Sequence, residues 1–98
     1  MAGELTHELF ARHLGETFKL MLESGDSMDF ELIEAELSRM PSAQEGRAPF
    51  ALVFRGSPDV VLPQRIYDLK HETMGDLSLF LVPIGPAEQG MQYEAVFA

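Results

Sequence analysis

Three histidines are the residues of this chain best suited to metal binding or acid–base chemistry, but their spacing does not bring them together. His7 and His13 are six residues apart, which places them on different faces of a helix. His71 follows Asp68 by three residues and precedes Glu72, but in a strand His71 and Glu72 point to opposite faces. A zinc site needs three or four converging ligands. We therefore expect ordinary surface or half-buried histidines and no metal site.

Carboxylates form an acidic run between positions 23 and 36, with no lysine or arginine among them. Calcium loops need several oxygen ligands at fixed spacing and a sharp glycine turn. The segment 25–29 has two acids three residues apart and lacks the rest of that pattern. We expect a solvated turn and strand face, with a weak cation site as the alternative. The acids of the run are Glu23, Asp26, Asp29, Glu31, Glu34 and Glu36.

Catalytic sets are not evident in the sequence. A serine nucleophile needs a base and an orienting acid, and Ser57 lies in a Gly-Ser-Pro-Asp turn that no helical pattern follows. An enzyme would require a cleft that gathers His71, Arg55 and an acid. We therefore expect no enzyme, no catalytic residues and no cofactor.

The segment Val60-Val61-Leu62 is the strongest candidate for an interface. These apolar residues lie between Pro58 and Pro63 and must either enter the core or form a surface patch, and exposed apolar patches usually mark contacts. Arg55, at the end of an apolar strand, either forms a structural ion pair or binds a partner. The interface candidates are Val60, Val61, Leu62 and Arg55.

One short helix is predicted near the N-terminus. Thr6 is a typical N-cap and Gly15 a typical C-terminal stop, while Phe10 and Leu14 form an apolar face for docking. A helix of this length is marginal alone, so it must pack on something larger.

Alternation of apolar and polar residues predicts about six strands. Residues 28–40 fit a helix or a strand; the tight turn before them favours a strand, with a β-bulge at Leu32-Ile33 where the apolar phase switches. Gly75 fits the left-handed position of a hairpin loop. The segment Pro83 to Pro86 is expected to end a strand. The strand segments are 17–23, 28–40, 50–54, 66–71, 77–82 and 91–97.

These elements predict a mainly β protein: a curved antiparallel sheet or small barrel of about six strands, with a short N-terminal helix. Short connections between successive strands favour antiparallel pairing. The strands 50–54 and 77–82 are apolar on both faces, which is typical of strands covered on both sides. The length of 98 residues is sufficient for a single domain over 1–98.

Composition narrows the classes of partner. Sixteen acids and seven bases give a net charge of −9, which disfavours nucleic acid and anionic membrane surfaces. The chain has no cysteine, which excludes disulfides and thiolate zinc sites and favours a reducing compartment. The first residues show no signal-peptide pattern, and no apolar stretch approaches the length of a membrane span. We therefore expect a cytoplasmic protein.

The second half of the chain carries the motifs Phe54-Arg55-Gly56, Leu62-Pro63-Gln64, Phe80-Leu81-Val82-Pro83 and Tyr93-Glu94-Ala95-Val96-Phe97. By this series the chain resembles a small bacterial family of similar length that is known only as a domain of unknown function. The resemblance implies a role in assembly, because some relatives are encoded near phage-tail-collar-like proteins. It implies no catalytic residues. The chain departs from the family pattern at Val60-Val61-Leu62, where a polar or proline-rich loop is expected.

The expected function is a non-catalytic protein-binding or assembly module, in a phage-tail-like or other bacterial assembly, or a homo-oligomer. Edge strands and the loop 60–62 would supply its contacts. The alternative is a barrel that binds a small ligand at its mouth. Six strands filled by phenylalanine and leucine leave little room for such a ligand, which ranks this alternative second.

Overall fold

Six antiparallel strands close into a barrel, with one short helix before them. A computed structural model of the protein describes residues 6–37, 49–87 and 90–97. The polar segment Pro41–Arg47, which the sequence predicts to be a loop, lies outside these residues. The elements are α1 (His7–Ala11), β1 (Thr17–Met21), β2 (Ser27–Leu37), β3 (Phe50–Gly56), β4 (Arg65–His71), β5 (Gly75–Ala87) and β6 (Gly90–Phe97).

The strand order around the barrel is β1-β2-β3-β6-β5-β4. All six neighbouring pairs are antiparallel, and the pairing of β1 with β4, from Lys19 opposite Lys70 to Met21 opposite Asp68, closes the ring. The predicted fold class is therefore confirmed in its closed form. The expectation of edge-strand contacts is wrong for the described strands, because closure pairs every strand on both sides.

The interior of the barrel is filled by every second side chain of each strand, as the alternation predicted. Small barrels are packed in this way by their inward-facing residues. On β4 these are Tyr67, Leu69 and His71. The other buried strand side chains are Phe18, Leu20, Phe30, Leu32, Phe50, Leu52, Phe54, Leu77, Leu79, Leu81, Tyr93 and Ala95.

Helix α1 covers one end of the barrel. The hydroxyl of Thr6 accepts a hydrogen bond from the backbone N–H of Leu9, which confirms the predicted N-cap. Phe10 is fully buried, and its ring lies about 6 Å from those of Phe50 and Phe97. The expected apolar face is wrong at Leu14, which is half exposed because the helix ends at Ala11 and the chain turns away.

Strand β2 confirms the strand interpretation of the ambiguous segment as far as Leu37, and residues 38–40 lie outside the described part. Its pairing with β3 shifts between Leu32 and Glu34, so Ile33 is the extra residue of a bulge. The bulge lies where the apolar phase switches in the sequence. It keeps Leu32 and Ala35 toward the core, with Glu34 and Glu36 on the outer face.

Strand β5 corrects two expectations. It does not end at Pro83, but continues to Ala87 through a register shift between Pro83 and Gly85. Proline is tolerated in a strand at such a bulge, because the ladder is already interrupted there. The strand is also not covered on both sides: Phe80 is half exposed. The same holds for the outer residues Ala51 and Val53 of β3, because a barrel has its core on one side of the sheet only.

Candidate functional site: a histidine–glutamate cluster and the outer face of the barrel

The turn after α1 and the end of β4 meet at a cluster of His13, Glu16 and His71. Two backbone hydrogen bonds anchor the turn to β2: the N–H of Gly15 donates to the carbonyl of Leu32 (2.7 Å), and the N–H of Leu32 donates to the carbonyl of Glu16 (3.1 Å). Because β1 pairs with β4, this turn lies beside His71. The fold thus joins residues that are 55 positions apart in the sequence.

The carboxylate of Glu16 is the centre of the cluster. Its Oε1 lies 2.7 Å from Nε2 of His71 and 2.9 Å from Nδ1 of His13. The two imidazole rings are 4.6 Å apart between centroids, at an angle of 61°. His71 is buried, whereas Glu16 is exposed. The hydrogen bond from His13, followed by that from His71, lowers the pKa of Glu16 below its usual 4.5.

The tautomer of His71 follows from the partners of its other nitrogen. Nδ1 accepts hydrogen bonds from the backbone N–H groups of Thr73 (3.0 Å) and Met74 (3.1 Å). Backbone N–H groups can only donate, so Nδ1 carries no proton. The proton of the neutral ring is therefore on Nε2, from which it is donated to Glu16. In this arrangement the imidazole holds the β4–β5 turn on one side and the carboxylate on the other.

This tautomer does not fit a metal ligand. A histidine that binds a metal through Nε2 normally carries its proton on Nδ1 and donates it to an acceptor. Here Nδ1 faces two backbone N–H donors, at Thr73 and Met74, with the Thr73 hydroxyl 3.2 Å away; a proton on Nδ1 would point at those two donors. The same two bonds occupy the nitrogen that a general base would use. The cluster suits a structural connection between the first turn and the β4–β5 hairpin. The expectation that the chain holds no metal stays a prediction, with this geometry as its reason.

The sequence offered little to indicate this cluster. Glu16 directly follows a turn glycine, a position that marks no site, and the sequence places His13 in a helix, whereas α1 ends two residues before it. The one local signal is at His71, two residues before Thr73 in a hairpin turn, where a side-chain acceptor commonly caps backbone N–H groups.

Two of the four predicted interface residues, Arg55 and Leu62, make contacts within the fold. Arg55 forms an ion pair with Glu31 across β2 and β3, the structural alternative considered for it. Leu62 is buried. It therefore does not belong to an exposed patch. Arg55 lies on the outer side of β3 and His71 on the inner side of β4, and they pair with different carboxylates. The structure does not bring these two residues into one cleft.

The loop between β3 and β4 is held against the barrel by Tyr93. The hydroxyl of Tyr93 accepts a hydrogen bond from the N–H of Leu62 (2.8 Å) and lies 3.4 Å from the carbonyl of Val60, to which it donates. The side chain of Val61 is 63% exposed, and that of Val60 is also exposed. The loop thus both enters the core, through Leu62, and presents a small apolar patch.

A larger apolar surface lies on the outside of β4, β5 and β6. Ile66 and Phe80 are direct partners across β4 and β5, with exposures of 65% and 49%. Val96, paired with Ala51 of β3, is 69% exposed. Val82, two residues after Phe80 on β5, pairs with Glu94, which lies two residues before Val96 on β6. We call the set Ile66, Phe80, Val82 and Val96 the outer apolar face. In the sequence this face corresponds to a strand with two apolar sides, a pattern that predicts a strand covered on both sides.

An acidic pocket adjoins the outer apolar face. Glu34 and Glu94 lie on either side of Val53, as its partners on β2 and β6. Glu36 is the β2 partner of Ala51, whose β6 partner is Val96. The three glutamates line a depression of about 90 Å³, and Ala51 and Val53 lie between them.

The described part of the chain contains no helix with the length and apolar character of a membrane span. The model of the family described as Domain of unknown function (DUF6916) matches residues 5–97. The chain therefore belongs to this family, which confirms the resemblance to a small family of unknown function. No curated protein and no solved structure matches the chain.

Proposed function

We propose that this protein is a non-catalytic protein-binding module that contacts a basic protein partner through its outer apolar face. The observation that carries the proposal is the exposure of Ile66, Phe80 and Val96, each a large apolar side chain that is half exposed or more. Contiguous exposed apolar side chains on a folded domain commonly mark an interface. The face lies on hydrogen-bonded strands, which makes it a rigid docking surface.

The charge of the protein argues for a basic partner. The net charge is −9, and Glu94 lies directly beside Val82 on the outer apolar face. Two copies of this chain would repel each other, whereas a basic surface would be attracted at long range. A heterologous partner is therefore favoured over the homo-oligomer.

A role in a larger bacterial assembly, in the cytoplasm, remains the biological setting that we propose. It rests on the family resemblance and the cysteine-free composition. The small-ligand alternative ranks second, because the described interior positions are filled by large side chains such as Phe54 and Tyr93.

The test compares three forms of the protein as bait in extracts of its native cells, with quantitative mass spectrometry. The face variant carries Ile66→Thr and Val96→Thr, which keep β-branched side chains in the strands and remove apolar surface. The loop variant, Val61→Thr, serves as the matched control. We expect wild type and the loop variant to retain the same basic protein and the face variant to lose it. Capture that depends on Val61 alone, or on neither site, would overturn the proposal.

Self-association is measured separately by light scattering of the purified protein. A monomer is expected. A dimer that the face variant dissociates would show that a second copy, and not a basic partner, occupies the face.

A further inference from the structure

We infer that the β4–β5 turn is a pH-sensitive element, closed while the imidazole of His71 is neutral and opened when the ring takes up a second proton. The turn is the segment 72–74 between His71 and Gly75, which are partners across the two strands. The inference concerns a local opening of the folded barrel and does not depend on the proposed function.

The imidazole of His71 is buried, and both of its nitrogens are in use. Among the described residues, His71 is the only histidine, acid or base that is buried. Its Nδ1 accepts from the N–H groups of Thr73 (3.0 Å) and Met74 (3.1 Å), and its Nε2 donates to Glu16 (2.7 Å). Imidazole is the side chain that changes charge between about pH 5 and 8. A modest change in pH therefore acts directly on the group that holds the turn.

A second proton and the closed turn exclude each other. Both nitrogens of a charged imidazole are donors, so Nδ1 can no longer accept from the two backbone N–H groups. The hydroxyl oxygen of Thr73 lies 3.2 Å from Nδ1 and can accept the new proton instead. Because the proton binds only when the backbone bonds are broken, acid shifts the equilibrium toward the open turn.

The surroundings of His71 indicate that the turn moves and the ring stays. Bonds from His13 and His71 hold the pKa of Glu16 below 4.5, so its carboxylate is charged over the whole range in which imidazole titrates. The bond to Nε2 becomes stronger once the ring is also charged. Thr73, in contrast, is exposed, and water can replace the bond that its N–H group loses.

The charged groups that face the ring come from the turn after α1. They are Glu16 and His13, whose ring centroid lies 4.6 Å from that of His71. Because Nδ1 of His13 bonds the same oxygen of Glu16, His13 is a second titrating group that the experiment must separate. The other charged residues of the surrounding elements are exposed: Arg12, Lys19, Asp68, Lys70, Glu72 and Asp76.

Opening of the turn changes the surface at this end of the barrel. Met74 is half buried and packs against the core. Its N–H group is one of the two that His71 holds. The acid form should therefore expose the side chain of Met74, which gives the experiment a second signal.

The experiment follows the full chain, labelled with ¹³C and ¹⁵N, by NMR between about pH 8 and pH 5. The ring nitrogen signals report protonation of His71, and the methyl signal of Met74 reports its surroundings. Amide exchange is expressed relative to the unfolded chain, which removes the pH dependence of exchange itself. We expect Nδ1 to become protonated and, with the same midpoint, protection at residues 73 and 74 to fall about tenfold. The strand amides of Leu69 and Leu79 should stay protected.

Three variants identify the group that responds to pH. In His71→Asn, the side-chain oxygen still accepts from the turn but does not titrate, so protection should be constant. His13→Asn keeps a donor near Glu16 and removes the other titrating ring, so the fall should persist. Glu16→Gln should move the fall to lower pH, because a neutral amide attracts the charged ring less.

Four results would overturn the inference. The first two concern the wild type: Nδ1 that is still unprotonated at about pH 5, or a protonated Nδ1 with unchanged protection of the turn. The other two concern the variants: a fall in protection that persists in His71→Asn, or one that disappears in His13→Asn. The wild-type titration decides the question even where a variant does not fold.

Discussion

Replacing His71 by phenylalanine tests whether this residue acts as a structural connector. Phenylalanine keeps an aromatic ring of similar size against Phe18, whose ring centroid lies 4.5 Å from that of His71. It removes both ring nitrogens. The N–H groups of Thr73 and Met74 lose their acceptor, and the carboxylate of Glu16 loses a donor.

The magnitude follows from these lost hydrogen bonds. A buried polar group left without a partner costs about 1–3 kcal/mol. Thr73 is exposed and Met74 half exposed, so water replaces part of the loss and the lower end applies to each N–H group. We expect the free energy of unfolding to fall by about 1–3 kcal/mol. For a domain of this size, that lowers the melting temperature by about 5–20 °C.

His71→Asn is the matched control, because an asparagine oxygen can accept from the N–H group two residues later. It should retain the turn while losing the ring and the bond to Glu16. Stability is measured by thermal and urea unfolding, and the turn by hydrogen exchange of the amides of Thr73 and Met74. We expect fast exchange in His71→Phe and slower exchange in His71→Asn. A phenylalanine variant as stable as wild type, with both amides protected, would refute the reasoning.

Further predictions concern the cluster and the closure of the barrel. The pKa of Glu16 in the folded protein lies below 4.5, so the ionised carboxylate should stabilise the fold fully above pH 4.5 and lose this effect as the pH falls through the folded pKa. The melting temperatures of wild type and Glu16→Gln should therefore converge in acid. Excess Zn²⁺ should not raise the melting temperature; a clear rise would contradict the assigned tautomer. Gly90→Ala should destabilise the fold by about 1–3 kcal/mol in urea unfolding, because the new Cβ would clash with the carbonyl oxygen of Gly56. Tyr93→Phe should cost about 1–2 kcal/mol and speed proteolysis of residues 57–64, since Leu62 loses its hydrogen-bond acceptor; unchanged cleavage would argue against that anchor.

Local features of the fold were predictable because their physical causes are local. The N-cap at Thr6 and the positive φ of +78° at Gly75 depend on a few neighbouring residues. The bulge at Ile33 was visible as a switch in apolar phase. The continuation of β5 beyond Pro83 was not predictable in this way, because it depends on a bulge and on pairing with β6.

The candidate sites depended on long-range pairing, which is why the sequence did not indicate them. Glu16 and His71 meet because β1 pairs with β4, and neither residue's neighbours predict the other. Likewise, Glu34 and Glu94 belong to different strands, and only the register through Val53 places them around one pocket.

The sequence by itself determined the inward and outward alternation of each strand, and with it a β fold with a core of leucine and aromatic residues. Side-chain direction alternates along a strand whatever the strand pairs with. Only the tertiary structure decided that the sheet closes on itself. Closure gives each strand one inner and one outer side, so the second apolar side of the strand at 77–82 and its neighbours remains at the surface. The exposure of Ile66, Phe80 and Val96, on which the proposed function rests, is therefore a consequence of closure.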